Sequence, residues 1–473
     1  MKNNKLILSD FLKSALTEEN PFISTEKVIQ WLNDRNNAIK VNVSKIPFKN
    51  LDYWFLDQKL GMLRHNSGQF FTIEGVNIKT NWGQVSEWEQ PIINQPEIGY
   101  LGIITKEING ILYFLLQAKI EPGNVNNVQL SPTLQATKSN YTQVHKGVKP
   151  RYLEYFQNAK KNEIILDQLQ SEQGARFLRK RNRNIILKIE EDIEEHEDFI
   201  WLTLGQIKKL ISIDNLINMD TRTVISGIPF KISHNFDDDV LKSSNLLSKN
   251  NFESGMLFSA LHTKSSLYSF DEIIMWMTTL KCKYELDVNQ ISLFNIKDWE
   301  VTDKEVKHKD DKFFKVIAAQ VEISNREVKT WSQPLVEPLQ EGLIAFVVKK
   351  INGVFHFLVQ AKLECGNFDI VEMAPTVQCL TDSYANSENL PFLDFILNAS
   401  SHQIRFNTLQ SEEGGRFYKE QNKSMIIEAD DNFPINVPEN YLWLTLHQLN
   451  YFLKFNNYLN IQARSLISAI NFI

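Results

Sequence analysis

Three cysteines are all the chain contains, Cys282, Cys365 and Cys379, and none sits in a Cys-x-x-Cys pair, so it offers neither a disulfide framework nor a cysteine zinc site. They read as reduced thiols. No run of eighteen apolar residues occurs, and the start, Met-Lys-Asn-Asn-Lys before Leu6, Ile7 and Leu8, lacks the long apolar core of a signal peptide. The expectation is a cytoplasmic protein with no membrane partner. An excess of positive charge is missing as well, since 51 Lys and Arg stand against 57 Asp and Glu for a formal net charge of −6. That argues against nucleic acid as a partner, because such proteins usually concentrate Lys and Arg on one face. Also absent are a Gly-x-Gly-x-x-Gly fingerprint, a Walker loop, His-Glu-x-x-His, Gly-x-Ser-x-Gly and a lysine in a Schiff-base context. The expected chemistry uses no cofactor and no metal.

What is present is a repeat. At 473 residues the chain is too long for one compact core, and it echoes itself almost from end to end. Trp88-x-Gln90-Pro91 returns as Trp331-x-Gln333-Pro334, and Gln117-Ala118-Lys119-Ile120-Glu121-Pro122-Gly123-Asn124 as Gln360-Ala361-Lys362-Leu363-Glu364-Cys365-Gly366-Asn367. Pro132-Thr133-Leu134-Gln135 matches Pro375-Thr376-Val377-Gln378, and Gln170-Ser171-Glu172-Gln173-Gly174-Ala175-Arg176-Phe177 matches Gln410-Ser411-Glu412-Glu413-Gly414-Gly415-Arg416-Phe417. The polar stretch around 233–251 divides the copies, giving domains 1–240 and 241–473. Asn109-Gly110 and Asn352-Gly353, each between apolar runs, predict hairpins. Thr203-x-x-Gln206, Thr445-x-x-Gln448 and Ser269-x-x-Glu272 are capping boxes that each open a helix. The fold class is therefore α+β, a twisted sheet flanked by helices in each copy.

The polar residues cluster in the first copy. Lys119 and Glu121 are two apart on a strand and point the same way, as a site or as a solvent-facing ion pair. Gln129, Ser131, Thr133 and Gln135 alternate, so one face presents neutral hydrogen-bonding groups suited to a sugar or a pyrimidine, unless the segment is a loop closing on the sheet. Asn140, Tyr141 and His145 follow. The Gln170-Ser171-Glu172 motif is a charged turn or a site element, in which Arg176 with Arg181 and Arg183 could grip a diphosphate. The second copy keeps Lys362, Glu364, Thr376, Gln378, Ser411, Glu412 and Arg416. It has Glu372 for Gln129, Cys365 for Pro122, and no counterpart of His145. That asymmetry favours the first copy as the active one.

Trp88-x-Gln90-Pro91-Ile92-Ile93, Gln117 through Asn124, Gln129 through Tyr141 and Gln170 through Gly174 together resemble the NDP-hexose 2,3-dehydratase family, over almost the whole chain. The resemblance implies two tandem Nudix-like domains, a homodimer, and a dTDP-linked 4-keto-6-deoxyhexose as substrate. It also implies removal of water across carbons 2 and 3 to give a 3,4-diketo-2,6-dideoxyhexose, with a ketoreductase or aminotransferase acting downstream. The catalytic Nudix signature, spaced glutamates around Arg-Glu-x-x-Glu-Glu, is absent. Under this reading Glu121 or His145 is the base, Tyr141 or Lys119 polarises the carbonyl, and Glu172 helps the hydroxyl leave. Trp88, Gln117, Asn124, Gln129, Ser131, Thr133, Gln135, Asn140, Gln170, Ser171 and the three arginines bind substrate. A metal-dependent Nudix-type hydrolase and a non-catalytic nucleotide-sugar-binding protein are the alternatives.

Overall fold

A computed structural model describes residues 9–137, 149–231, 251–324, 328–382, 384 and 390–473. Each copy opens on a short helix and a longer one, Asp10–Ala15 and Thr25–Ala38 in the first, Phe252–Leu261 and Phe270–Lys283 in the second. The Ser269 capping box forms in both directions, with the serine hydroxyl accepting from Glu272 N and the glutamate accepting from Ser269 N. A strand follows each long helix, Val41–Ile46 and Leu286–Ile291, with the same alternating pattern of burial.

Here the copies trade places. Val41–Ile46 pairs antiparallel with Phe314–Ile323 of the second copy, and Leu286–Ile291 pairs with Thr72–Thr80 of the first. Each strand completes a five-stranded sheet whose other members come from the opposite copy. The trade covers an edge that would otherwise expose a row of unpaired backbone groups.

The larger sheets stay within their copies. In the first, the path runs Ile164–Ser171, Arg181–Ile189, Gly99–Ile108, Ile111–Ile120, Phe199–Thr203, with Val128–Ser131 and Leu134–Ala136 paired beside it. The second copy has the same seven-stranded layout. The predicted hairpins form, and Asn109 and Gly110 (φ 52° and 81°) repeat at Asn352 and Gly353 with the same angles. Positive φ at both central residues is what a two-residue turn needs to follow the twist of its strands. The capping boxes at Thr203 and Thr445 open helices Leu204–Ile211 and Leu446–Phe452. Thr203→Ala is expected to cost about 1 kcal/mol, read as a lower midpoint of urea unfolding.

One apolar cluster runs through both copies, joining Leu12, Phe114 and Ile186 to Phe346, Leu444 and Leu466. Polar contacts join them too. Helices Met219–Ser226 and Ile461–Ser468 pack together, and each carries an arginine only 1% exposed. Arg222 donates to the carbonyl of Ser411 at 2.7 Å and to Ser465 Oγ at 2.8 Å. Arg464 mirrors it, donating to Thr223 Oγ1 at 2.9 Å and to the carbonyl of Ser171. The Pro122-Gly123 and Cys365-Gly366 loops seal the joint: Gly123 N donates to Gly414 O at 2.8 Å and Gly366 N to Gly174 O at 2.7 Å. The mean architecture is thus α+β with two similar units, knitted together at sheet edge, helix pair and loop.

Candidate active site

A cavity of about 730 Å³ opens on the first copy. Strand Ile111–Ile120 aims alternate residues at it, so Gln117, Lys119 and, one step past the strand, Glu121 all line one wall. Thr133 and Gln135 face them from the neighbouring segment. Glu121 is held from two sides: Gln135 Nε2 donates to its Oε1 at 3.0 Å, and Lys119 Nζ lies 3.6 Å from the same oxygen. Both members of the pair are under 10% exposed, which replaces the solvent-facing alternative for this ion pair with a buried one. Glu121 Oε2 is buried and has no hydrogen-bond partner among the described residues.

More acids crowd the same space. Glu172 accepts from Asn182 Nδ2 at 2.8 Å, and Asp220, in the first turn of Met219–Ser226, lines the cavity at 2% exposure. Burial raises both carboxyls, and Asp220 is raised further by the charges of Glu413, Glu172 and Glu121. Close carboxylates in a dry site resist ionising together, so burial and mutual repulsion favour a protonated member beside an ionised one. Lys180 answers them from below, donating to Glu97 O, with burial pulling its ammonium down to about 8.

The opposite wall belongs to the second copy. Trp331, Gln333, Glu413, Gly415 and Arg416 all line the cavity. Arg416 stacks 4.2 Å over Phe71 and donates to Gln95 Oε1 at 3.3 Å. Trp54, Phe70 and Phe71 make an aromatic end, while Lys149, Arg151 and His196 line another part of the wall. Sequence reading missed Asp220, Lys180, Trp331, Gln333 and Glu413. The signal was the repeat, since Asp220 stands opposite Gln462, Lys180 opposite Glu420, and Glu413 opposite Gln173.

Other expected residues lie elsewhere. Trp88, echo of Trp331, packs with Val76, Ile78, Ile92 and Cys365. Gln129 donates to Ser411 Oγ at 2.8 Å, Ser131 accepts from Asn218 at 2.8 Å, Ser171 donates to Glu372 at 2.9 Å, and Gln170 donates to Leu453 O at 2.6 Å. Gln129 and Ser171 are thereby bonded across the joint between copies and Ser131 within its own, so the polarity of these three needs no ligand. Asn124 closes its own loop on Asn127 O at 2.6 Å, and Thr133, though it lines the cavity, spends its hydroxyl tying Leu115 O to Ile104 N. The three arginines do not converge as a diphosphate grip: Arg176 stacks 4.0 Å over Phe314, Arg181 stacks 3.9 Å over Phe368, and Arg183 is paired with Asp167 at 2.7 Å. Asn140, Tyr141 and His145 lie outside the described residues.

The matching positions of the second copy are tied internally. Gln378 donates to Glu364 at 2.8 Å, Lys362 to Gln378 O at 3.3 Å, and Thr376 to Leu358 O at 2.5 Å. Glu412, counterpart of Glu172, accepts from Asn422 at 2.6 Å and Gln462 at 2.8 Å. Where the first copy sets an acid against Glu172, the second sets an amide against Glu412.

The chain matches the family model described as NDP-hexose 2,3-dehydratase over residues 25–228 and again over 270–470. It is 44% identical to a dTDP-4-dehydro-6-deoxy-alpha-D-glucopyranose 2,3-dehydratase of Saccharopolyspora spinosa, covering 98% of this chain and 94% of the relative. Proteins of the same name are 41% identical in Amycolatopsis orientalis, over 97% and 92% of the two chains, and 38% identical in Streptomyces violaceoruber, over 93% and 95%.

Proposed function

The chain belongs to the NDP-hexose 2,3-dehydratase family, and from that premise we propose that its first-copy cavity removes water across carbons 2 and 3 of a dTDP-linked 4-keto-6-deoxyglucose. The enzyme is a lyase, and the product is a 3,4-diketo-2,6-dideoxyhexose. The observation that carries the placement is the Lys119–Glu121 pair among buried acids, whereas the repeat sets amides opposite two of those acids, Gln462 opposite Asp220 and Gln173 opposite Glu413.

The substrate's own chemistry assigns the parts. The carbonyl at carbon 4 acidifies the proton on carbon 3, and Glu121, with one free oxygen, takes it. Lys119, on the same wall, stabilises the oxygen that gains charge. The hydroxyl on carbon 2 is a poor leaving group unless protonated, and the carboxyls around Glu172, whose proton affinity burial raises, supply that proton. Trp54, Phe70, Phe71 and Trp331 offer faces for the thymine ring, and Lys149, Arg151 and Arg416 are the cations for the diphosphate. Nudix-like ancestry of each copy, a homodimer and a cytoplasmic location belong to the same proposal. So does a ketoreductase or aminotransferase to consume the product, since adjacent carbonyls are labile. Among the described residues no helix is long and apolar enough to cross a membrane.

Mass spectrometry of purified protein incubated with dTDP-4-keto-6-deoxyglucose and a trapping ketoreductase tests the reading. Loss of one water from the sugar is expected. Release of thymidine monophosphate would point to the hydrolase alternative, and intact substrate under conditions where it binds would point to a binding protein.

A further inference from the structure

The loop that closes the first-copy cavity reads Glu413-Gly414-Gly415-Arg416, where its echo reads Gln173-Gly174-Ala175-Arg176. Two of the four residues differ, and the differences are coupled. Glu413 folds back over its own loop so that Oε1 accepts from Gly415 N at 3.0 Å. A Cβ on residue 415 would stand 2.2 Å from that oxygen, closer than any real contact, so the carboxylate takes this position only because residue 415 is glycine. The same point above Gly415 lies 3.5 Å from Glu121 Oε1. The carboxyl of one copy is thereby brought up to the carboxyl of the other across the cavity. Glu413 is half-buried, open to a ligand, whereas Asp220 behind it is 2% exposed.

Resting on the dehydratase reading above, we infer that Glu413, supplied by the second copy, is the catalytic acid that protonates the departing hydroxyl in the first copy's cavity. The groups that act on it are Glu121, Glu172 and Asp220 on the acidic side and Lys119, Arg416 and Lys180 on the basic side. Burial, with the charge of Glu121 next, raises its carboxyl to about 8 against the pull of Arg416. It is therefore a neutral donor at physiological pH.

The step balances. Glu121 takes the proton from carbon 3, and the C3–H electron pair passes to the carbonyl as an enolate. As that enolate collapses, a double bond forms between carbons 2 and 3, the C2–O bond breaks, and the oxygen takes the proton of Glu413 and leaves as water. Glu121 then returns its proton to carbon 2 while the enol hydroxyl on carbon 3 gives its own to Glu413. Both carboxyls end as they began.

Glu413→Gln should lower kcat by about 10²- to 10⁴-fold with thymidine diphosphate affinity unchanged. In D₂O it should still exchange the carbon 3 hydrogen of the substrate, whereas Glu121→Gln should not. Wild-type kcat should fall as pH rises through about 8, where the donor loses its proton. Gly415→Ala should reproduce the loss by pushing the carboxyl out of place, and it reads the same role should Glu413→Gln fail to fold. An E413Q protein with kcat within threefold of wild type overturns the inference, as does one that loses carbon 3 exchange together with turnover. A wild-type protein that neither dehydrates nor exchanges overturns the dehydratase reading beneath it.

Discussion

Glu121→Gln is expected to lower kcat by about 10²- to 10⁴-fold while thymidine diphosphate binding, measured by calorimetry, stays within a few-fold of wild type. Glutamine keeps the side chain's length and can still meet Gln135, so the wall of the cavity keeps its shape. What disappears is a carboxylate oxygen with no partner of its own among the described residues, and with it the ability to take a proton from carbon 3. The nucleotide contacts proposed at the aromatic end and at Arg416 are untouched by the change. A variant that turns over normally would remove Glu121 from the chemistry. One that loses affinity at unchanged kcat would make it a binding residue instead.

Gly123→Ala is expected to destabilise the protein by about 3 kcal/mol or more, read from the midpoint of chemical unfolding. A Cβ there would lie 1.6 Å from the carbonyl oxygen of Phe417, a backbone atom that cannot swing away. The loop must approach this closely because Gly123 N donates to Gly414 O at 2.8 Å and Gly123 O accepts from Lys419 N at 2.7 Å. Lifting the loop breaks both bonds and moves Glu121, two residues back, so activity should fall with stability. Gly366→Ala should match the stability loss, since its Cβ would stand 1.8 Å from Phe177 O in the mirror-image joint. A G123A protein as stable as wild type would mean that the two loops are not pressed together in solution.

Local chemistry made much of this legible beforehand. Asn-Gly demanded its turn, Thr-x-x-Gln its helix start, and Lys119-x-Glu121 its shared face, because each depends on residues a few positions apart. What no local pattern carries is which distant edge a strand covers. Val41–Ile46 alternates like any half-buried strand, and nothing in those six residues names Phe314–Ile323 as its neighbour. The rest of the site follows from that crossing. Trp331, Gln333 and Glu413 belong to a cavity whose first wall is far away in sequence, in the other copy, and Trp88, sound as a motif, faces the other side. Gln129 and Ser131 were readable as a polar row, but a row that meets a sugar and a row that meets a neighbouring loop have the same composition. Asp220 is the second residue of its helix, where an acid is ordinary, and only its contrast with Gln462 marks it out.

The traded strands bear on how one chain came to hold two unlike halves. A protein of a single copy, pairing with itself by the same trade, would form a symmetric dimer in which every change in sequence appears in both sites at once. Joining the copies in one chain releases that constraint, because an acid gained at residue 220 or 413 no longer obliges one at 462 or 173. The shared sheets keep the halves from parting while their chemistry diverges. One half is then free to give up its own reaction and become the far wall of the other's.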